Sequence, residues 1–97
     1  MASRTSAVAL VTGGNKGLGL AMARGFAEAG ADIIISSRHE DELRTALEQV
    51  LAGTGRRGRF IVADMSQRDD VKRLAQTALD QLGPVEILVN NAGTNVP

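Results

Sequence analysis

The residues best suited to chemistry lie together at Val11-Thr12-Gly13-Gly14-Asn15-Lys16-Gly17-Leu18-Gly19. Gly13, Gly17 and Gly19 set a G-x-x-x-G-x-G spacing behind a short apolar run, Ala7-Val8-Ala9-Leu10-Val11. After them, Leu18, Ala21, Met22, Gly25, Phe26 and Ala29 recur at helical intervals and predict one apolar helix face. The glycines are thus expected at a strand-to-helix turn. There the first helical N–H groups lack intrahelical partners, and the helix dipole adds partial positive charge. With no side chains in the way, a pyrophosphate can approach those donors. The spacing departs from G-x-G-x-x-G, and a flexible turn would explain the glycines alone. The strand before and the amphipathic helix after argue against that.

The elements that must position this loop alternate along the chain. Strands are predicted near residues 7–11, 32–36, 59–63 and 85–89, and helices near 17–29, 40–52 and 67–82. Asp32-Ile33-Ile34-Ile35-Ser36 is mostly β-branched and apolar, as in a strand covered on both faces. Leu43, Leu47, Val50 and Leu51 mark the second helix face. Val71, Leu74, Ala75, Ala78, Leu79 and Leu82 mark the third, which Gly83-Pro84 stops. Alternating strands and helices predict an α/β fold, a Rossmann-type doubly wound parallel sheet of about four strands and three helices. Its order would be 3-2-1-4, with the glycine turn at the switch point. One rim would then collect Gly13 to Gly19, Ser37-Arg38, Asp64-Met65 and Asn90-Asn91-Ala92-Gly93.

Composition narrows the alternatives. The 97 residues allow at most one small domain, read as a polar tail over 1–6 and a domain over 7–97. Formal net charge is zero, so bulk electrostatics offers nothing to a nucleic acid. No cysteine is present and His39 is the only histidine, so neither disulfides nor a metal cluster are expected. No signal peptide or membrane span is readable, which favours the cytoplasm.

Taken in register, these motifs resemble the short-chain dehydrogenase/reductase family. The likeness rests on Thr12-Gly13-x-x-x-Gly17-x-Gly19 after the first strand, Asp64 after the third, and Asn90-Asn91-Ala92-Gly93 after the fourth. It implies NAD(P) binding, with Asp64 and Met65 around the adenine and Asn91, Ala92 and Gly93 near the nicotinamide-side ribose. Asn90 would brace the central strands. A turn or cap role is the plainer account of Asp64, and a strand-ending turn that of Asn90-Asn91. Family members are much longer and homo-oligomeric, and their serine, tyrosine and lysine of a Tyr-x-x-x-Lys arrangement lie beyond the Asn-Asn-Ala-Gly segment. This chain has no tyrosine. It reads as the cofactor-binding part alone, with no catalytic residue assignable; Ser36, Ser37, Ser66 and Lys72 fall in the wrong segments. Two accounts remain open: the N-terminal part of an oxidoreductase, or a nucleotide-binding module without activity. Reduction of 3-oxoacyl thioesters and oxidation of sugars or sugar acids are substrate classes that the resemblance suggests.

Cofactor choice follows from charge. NAD-specific sites place a carboxylate at the end of the second strand for the ribose 2′-hydroxyl. Here Ser37 and Arg38 stand there, and Lys16 adds a second cation from the glycine loop. Arg38 and Lys16 favour NADP(H) over NAD(H), since a 2′-phosphate pairs with guanidinium and ammonium, and Asn15 and Leu18 in the loop complete the expected cofactor-binding residues there. Glu40, Asp41 and Glu42 suit the first turn of the second helix. Arg56, Arg57 and Arg59 are expected in a solvated loop at the opposite rim, with no tyrosine or tryptophan to stack bases. His39 is expected at the surface near a helix start, and Met22 in the core.

Overall fold

A computed structural model of the chain describes residues 7–91. Seven elements follow in strict alternation: β1 (Val8–Thr12), α1 (Gly17–Glu28), β2 (Asp32–Ser37), α2 (Glu40–Leu51), β3 (Gly58–Val62), α3 (Arg68–Leu82) and β4 (Ile87–Asn90). The four strands form one sheet in the order β3-β2-β1-β4, and every pairing is parallel. This is the doubly wound arrangement expected from the alternation. The residues 1–6 and the pair Ala92-Gly93 lie outside the described residues.

Local chemistry explains the element ends. Gly30 and Gly83 follow α1 and α3 with φ of 104° and 102°, a conformation that stops a helix cheaply only without a Cβ. β4 begins two residues later than its apolar run suggests. Its ladder with β1 starts at Ala9↔Ile87, while Val85 packs under the sheet and the Glu86 N–H donates to the Val8 carbonyl at 2.9 Å. The other ends differ from expectation by a residue or so, as frayed termini do.

The core has two layers because the strands are covered on both faces. Ala9, Val11, Ile33 and Ile35 pack with Leu43, Ala46 and Val50 beneath α1 and α2. Val8, Leu10, Ile34 and Ile61 pack with Leu74, Ala78 and Leu82 beneath α3. All six residues of β2 are buried, which accounts for the unbroken apolar run at its centre.

One expectation is corrected. The buried face of α1 is Gly19, Ala23 and Ala27, flanked by Leu20 and Phe26. Leu18 is 67% exposed, Ala21, Gly25 and Ala29 are also exposed, and half-buried Met22 joins neither cluster. The helix lies close to the sheet, so small residues face inward. The arginine loop is largely exposed, Arg57 and Arg59 included, and it also makes bonds that hold its rim. Asp32, 3% exposed, accepts from the Arg57 N–H, Nε and one terminal nitrogen at 3.0, 3.2 and 3.0 Å. Arg56 donates to the Gly30 carbonyl at 3.0 Å, and Arg59 to that of Gly58 at 2.9 Å. These arginines tie down the rim where β2 and β3 begin. Among the described residues, no helix is long and apolar enough to cross a membrane.

Candidate functional site

Parallel strands with right-handed crossovers bring all their C-terminal ends to one rim. The order β3-β2-β1-β4 places the β1–α1 glycine turn where the winding reverses. The turn is built by steric necessity. Gly13 and Gly17 have φ of 70° and 59°, which favours glycine at both. A Cβ on Gly19 would collide with the Gly13 carbonyl oxygen and come within 2.8 Å of the Asn91 side-chain nitrogen. Gly14, absent from the expected site, is as constrained: a Cβ there would lie 2.6 Å from Ile35 Cγ2. Its only sequence signal was being the second of two adjacent glycines.

The turn is held on both flanks. The Gly13 N–H donates to the Ser36 carbonyl at 2.7 Å, fastening it to β2. On the other side, buried Thr12 joins β1 to β4. Its hydroxyl donates toward Asn90 Oδ1 at 3.1 Å and accepts the Asn91 N–H at 2.9 Å. Asn90, at the end of the edge strand β4, is thereby tied to β1 through the Thr12 hydroxyl. Sequence reading used Thr12 only as a motif letter and missed this joint.

Between the turn and the ends of β2 and β3 lies a hollow of about 500 Å³. Gly13, Asn15 and Lys16 form one wall, Ser37, Arg38 and His39 the second, and Ala63, Asp64, Met65 and Ser66 the third. Of the expected site residues it thus gathers seven. Leu18 and Gly19 stand beside it in the first turn of α1, which begins at Gly17. Asn91 lies on the β4 side. Ser37 is buried and accepts the His39 N–H at 3.0 Å, which turns the chain so that Arg38 and His39 are exposed.

The charges around this hollow are uneven. Lys16 and Arg38 are exposed and make no ion pair with any described residue. Asp64 Oδ1 accepts from the hydroxyl and N–H of Ser66 at 2.7 and 2.9 Å. These bonds hold its carboxyl below the ordinary range, and the Arg38 guanidinium adds to the effect. Asp64 is therefore partly a turn residue, as its plainer account held. Its own N–H donates to Asp70 Oδ2 at 2.8 Å, and the N-cap of α3 is Gln67, whose side chain makes no capping bond. Among the described residues, no group of three or more potential metal ligands is present.

Comparison with known proteins agrees with this geometry. The family model for short chain dehydrogenases matches residues 7–97. The chain belongs to that family. An uncharacterized oxidoreductase of Mycobacterium tuberculosis is 43% identical over 90 residues, covering 93% of this chain and 34% of its own. L-Sorbose reductase from Gluconobacter frateurii, solved with NADPH and L-sorbose, superposes with a TM-score of 0.88 at 35% identity, over 95% of this chain and 35% of that one. A single-residue variant of actinorhodin polyketide ketoreductase, solved with NADPH, gives 0.86 at 35% identity, over 96% and 35%. The chain spans about a third of the length of the relatives it matches.

Proposed function

We propose that residues 7–97 form the cofactor-binding part of an oxidoreductase that takes NADP(H) in preference to NAD(H) and interconverts a carbonyl and an alcohol. The observation behind this reading is the hollow at the switch point, bordered by Gly13 of the glycine turn and by Lys16 and Arg38, neither of which forms an ion pair with a described residue. A dinucleotide fits these residues. Gly13, with positive φ, and Gly19, closed against the Gly13 carbonyl, shape the turn, while Gly17 faces open space, so a pyrophosphate could approach the first N–H groups of α1. Lys16, Ser37 and Arg38 would take a 2′-phosphate, with Asp64 and Met65 around the adenine. Asn91, with Ala92 and Gly93, would line the nicotinamide-side ribose. Two similar structures were solved with NADPH, which supports the same cofactor here.

When bound, the nicotinamide ring supplies the hydride acceptor or donor. The chain's own residues bind and orient that group. With no tyrosine in the sequence, we assign no proton donor within it. Residues 1–97 alone are then a binding module, and the whole reaction needs acid–base groups from elsewhere. The sugar and polyketide substrates named for the two similar structures make sugar-type and 3-oxoacyl substrates the leading classes.

The test is fluorescence titration with NADPH and NADH. A charge-assisted bond contributes about 1.5–3 kcal/mol when well made, and solvent screening at an open rim reduces it. We expect NADPH to bind tighter by roughly ten- to a hundredfold, at about 1.4 kcal/mol per decade. Arg38→Asp should erase that margin and improve NADH. Equal affinities in the unaltered chain, or an unchanged margin in the variant, would refute the assignment.

A further inference from the structure

Asn15 does more than line the hollow. Its side-chain nitrogen donates to Glu42 Oε1 at 2.5 Å, joining the glycine turn to the first turn of α2 across 27 sequence positions. Among the described residues Asn15 makes no other hydrogen bond. The nearest backbone anchors are the Gly13 N–H on Ser36 and the Leu20 N–H on Lys16, at 2.7 and 3.3 Å. Gly14 is buried against Ile35, whereas Lys16 to Leu18 are exposed, and the bond from Asn15 is the side-chain hydrogen bond that ties this stretch to α2 among the described residues.

The same contact places a carboxylate. Asn15 and Lys16 line the hollow described above and also a second one, of about 440 Å³, beside α2. Glu42 and Asp41 line only the second. The two turn residues thus form a wall between them, with acid on one side and Arg38 on the other. Lys16 and Glu42 border the second hollow together, yet they form no ion pair. Glu42 is engaged by Asn15 instead.

We infer that Glu42 is a positioning residue of the cofactor loop. Through Asn15 it fixes the tip of the turn, and the amide in return keeps its carboxylate from neutralising Lys16. The ammonium is thereby left for the 2′-phosphate, so this inference rests on the NADP(H) reading of the hollow. The acidic start of α2 would interact favourably with that helix's dipole wherever Glu42 pointed, but that effect requires no bond to Asn15.

The first test needs no cofactor. Amide exchange at Gly13 and Leu20 is compared with that at Ile33, Ile34 and Ile35 in the strand core. Losing one hydrogen bond of ordinary strength should speed exchange at the turn about fivefold in Glu42→Ala and leave the strand unchanged. Glu42→Gln keeps an acceptor oxygen in place and should restore most of the protection. Unchanged turn exchange, or equal acceleration of turn and strand, would overturn the tie whether or not the chain prefers NADPH. The second test is titration of Asn15→Ala. Freed from its amide, Glu42 should pair with Lys16 and weaken NADPH about tenfold, with NADH affected less. Asn15→Ala combined with Glu42→Gln should recover the selectivity. An equal loss for both cofactors, or no recovery in the double variant, would overturn the charge argument.

Discussion

Alanine at Gly19 and alanine at Gly25 each add one methyl group to α1, and the structure predicts opposite signs for them. At Gly19 the new Cβ would stand 2.8 Å from the Gly13 carbonyl carbon and 2.8 Å from the Asn91 side-chain nitrogen, and closer still to the Gly13 oxygen. Gly13 cannot easily yield, with φ of 70° and its N–H bonded to Ser36. Relief must come from moving α1 off the turn, and overpacking of this kind costs about 1–3 kcal/mol. Against this stands the helix preference of alanine over glycine, about 0.8–1 kcal/mol. The net effect is a loss of up to about 2 kcal/mol, with the helix N-terminus displaced from the site. At Gly25 nothing stands within 4 Å of the new methyl, and the φ is not positive. There alanine should stabilise by about 0.4–1 kcal/mol. For a domain of this size each kilocalorie moves the melting temperature by about 4–8 °C. Thermal melts by circular dichroism, paired with NADPH titration, read both effects. If Gly19→Ala melts at or above the parent temperature with unchanged NADPH affinity, the close approach of turn and helix does not govern the site. If Gly25→Ala lowers the melt by several degrees, the reading of α1's open face is wrong.

Further outcomes can be checked separately. Asp32→Ala removes a buried acceptor and leaves the Arg57 N–H without its carboxylate, so urea unfolding should show a loss of about 1–3 kcal/mol. A loss below about 0.5 kcal/mol, the scale of an exposed ion pair, would show that the burial of Asp32 contributes nothing. Asp64 has a lowered folded-state pKa, so its contribution is full above its unfolded value and fades as pH falls through the folded one. Carbon-detected titration should follow this below about pH 4, with Ser66→Ala shifting the Asp64 midpoint upward; no shift would remove Ser66 as the main cause. β4 pairs with β1 alone among the described residues, and Leu88 on it is 64% exposed, with Leu79 and Val71 of α3 at 48% and 38%. Covering a few hundred Å² of such surface is worth several kcal/mol at about 25 cal/mol per Å², so the 97-residue chain should self-associate; a monomer in sedimentation at tens of micromolar would refute this.

The topology was legible because it depends on signals that tertiary context seldom overrides. An isoleucine run between two helical patterns reads as a strand covered on both faces, and β2 is buried along its whole length. Glycines at 30 and 83 end helices because the left-handed conformation there favours them. The inward face of α1 was misread for an equally physical reason. Weighting large apolar residues selects Leu18 and Met22, but a helix that approaches a sheet closely needs small ones. Gly19, Ala23 and Ala27 supply that stripe. Periodicity identified the helix, and the separation between layers chose its face.

The site divides along the same line. The rim's membership follows from topology, since every strand of a parallel sheet delivers its following loop to one edge. The links between those loops do not follow from topology. Nothing in the spacing of Asn15 and Glu42 marks them as partners, and the acidic start of α2 had a sufficient explanation in the helix dipole. Asp32 and Arg57 are likewise 25 positions apart and meet only because β3 pairs with β2. Gly14 makes the point most sharply. Its constraint comes from Ile35, a residue of the neighbouring strand, so no inspection of the glycine loop alone could have found it. A motif letter shows that a loop can bind phosphate, whereas the contacts across strands decide which substitutions the loop will bear.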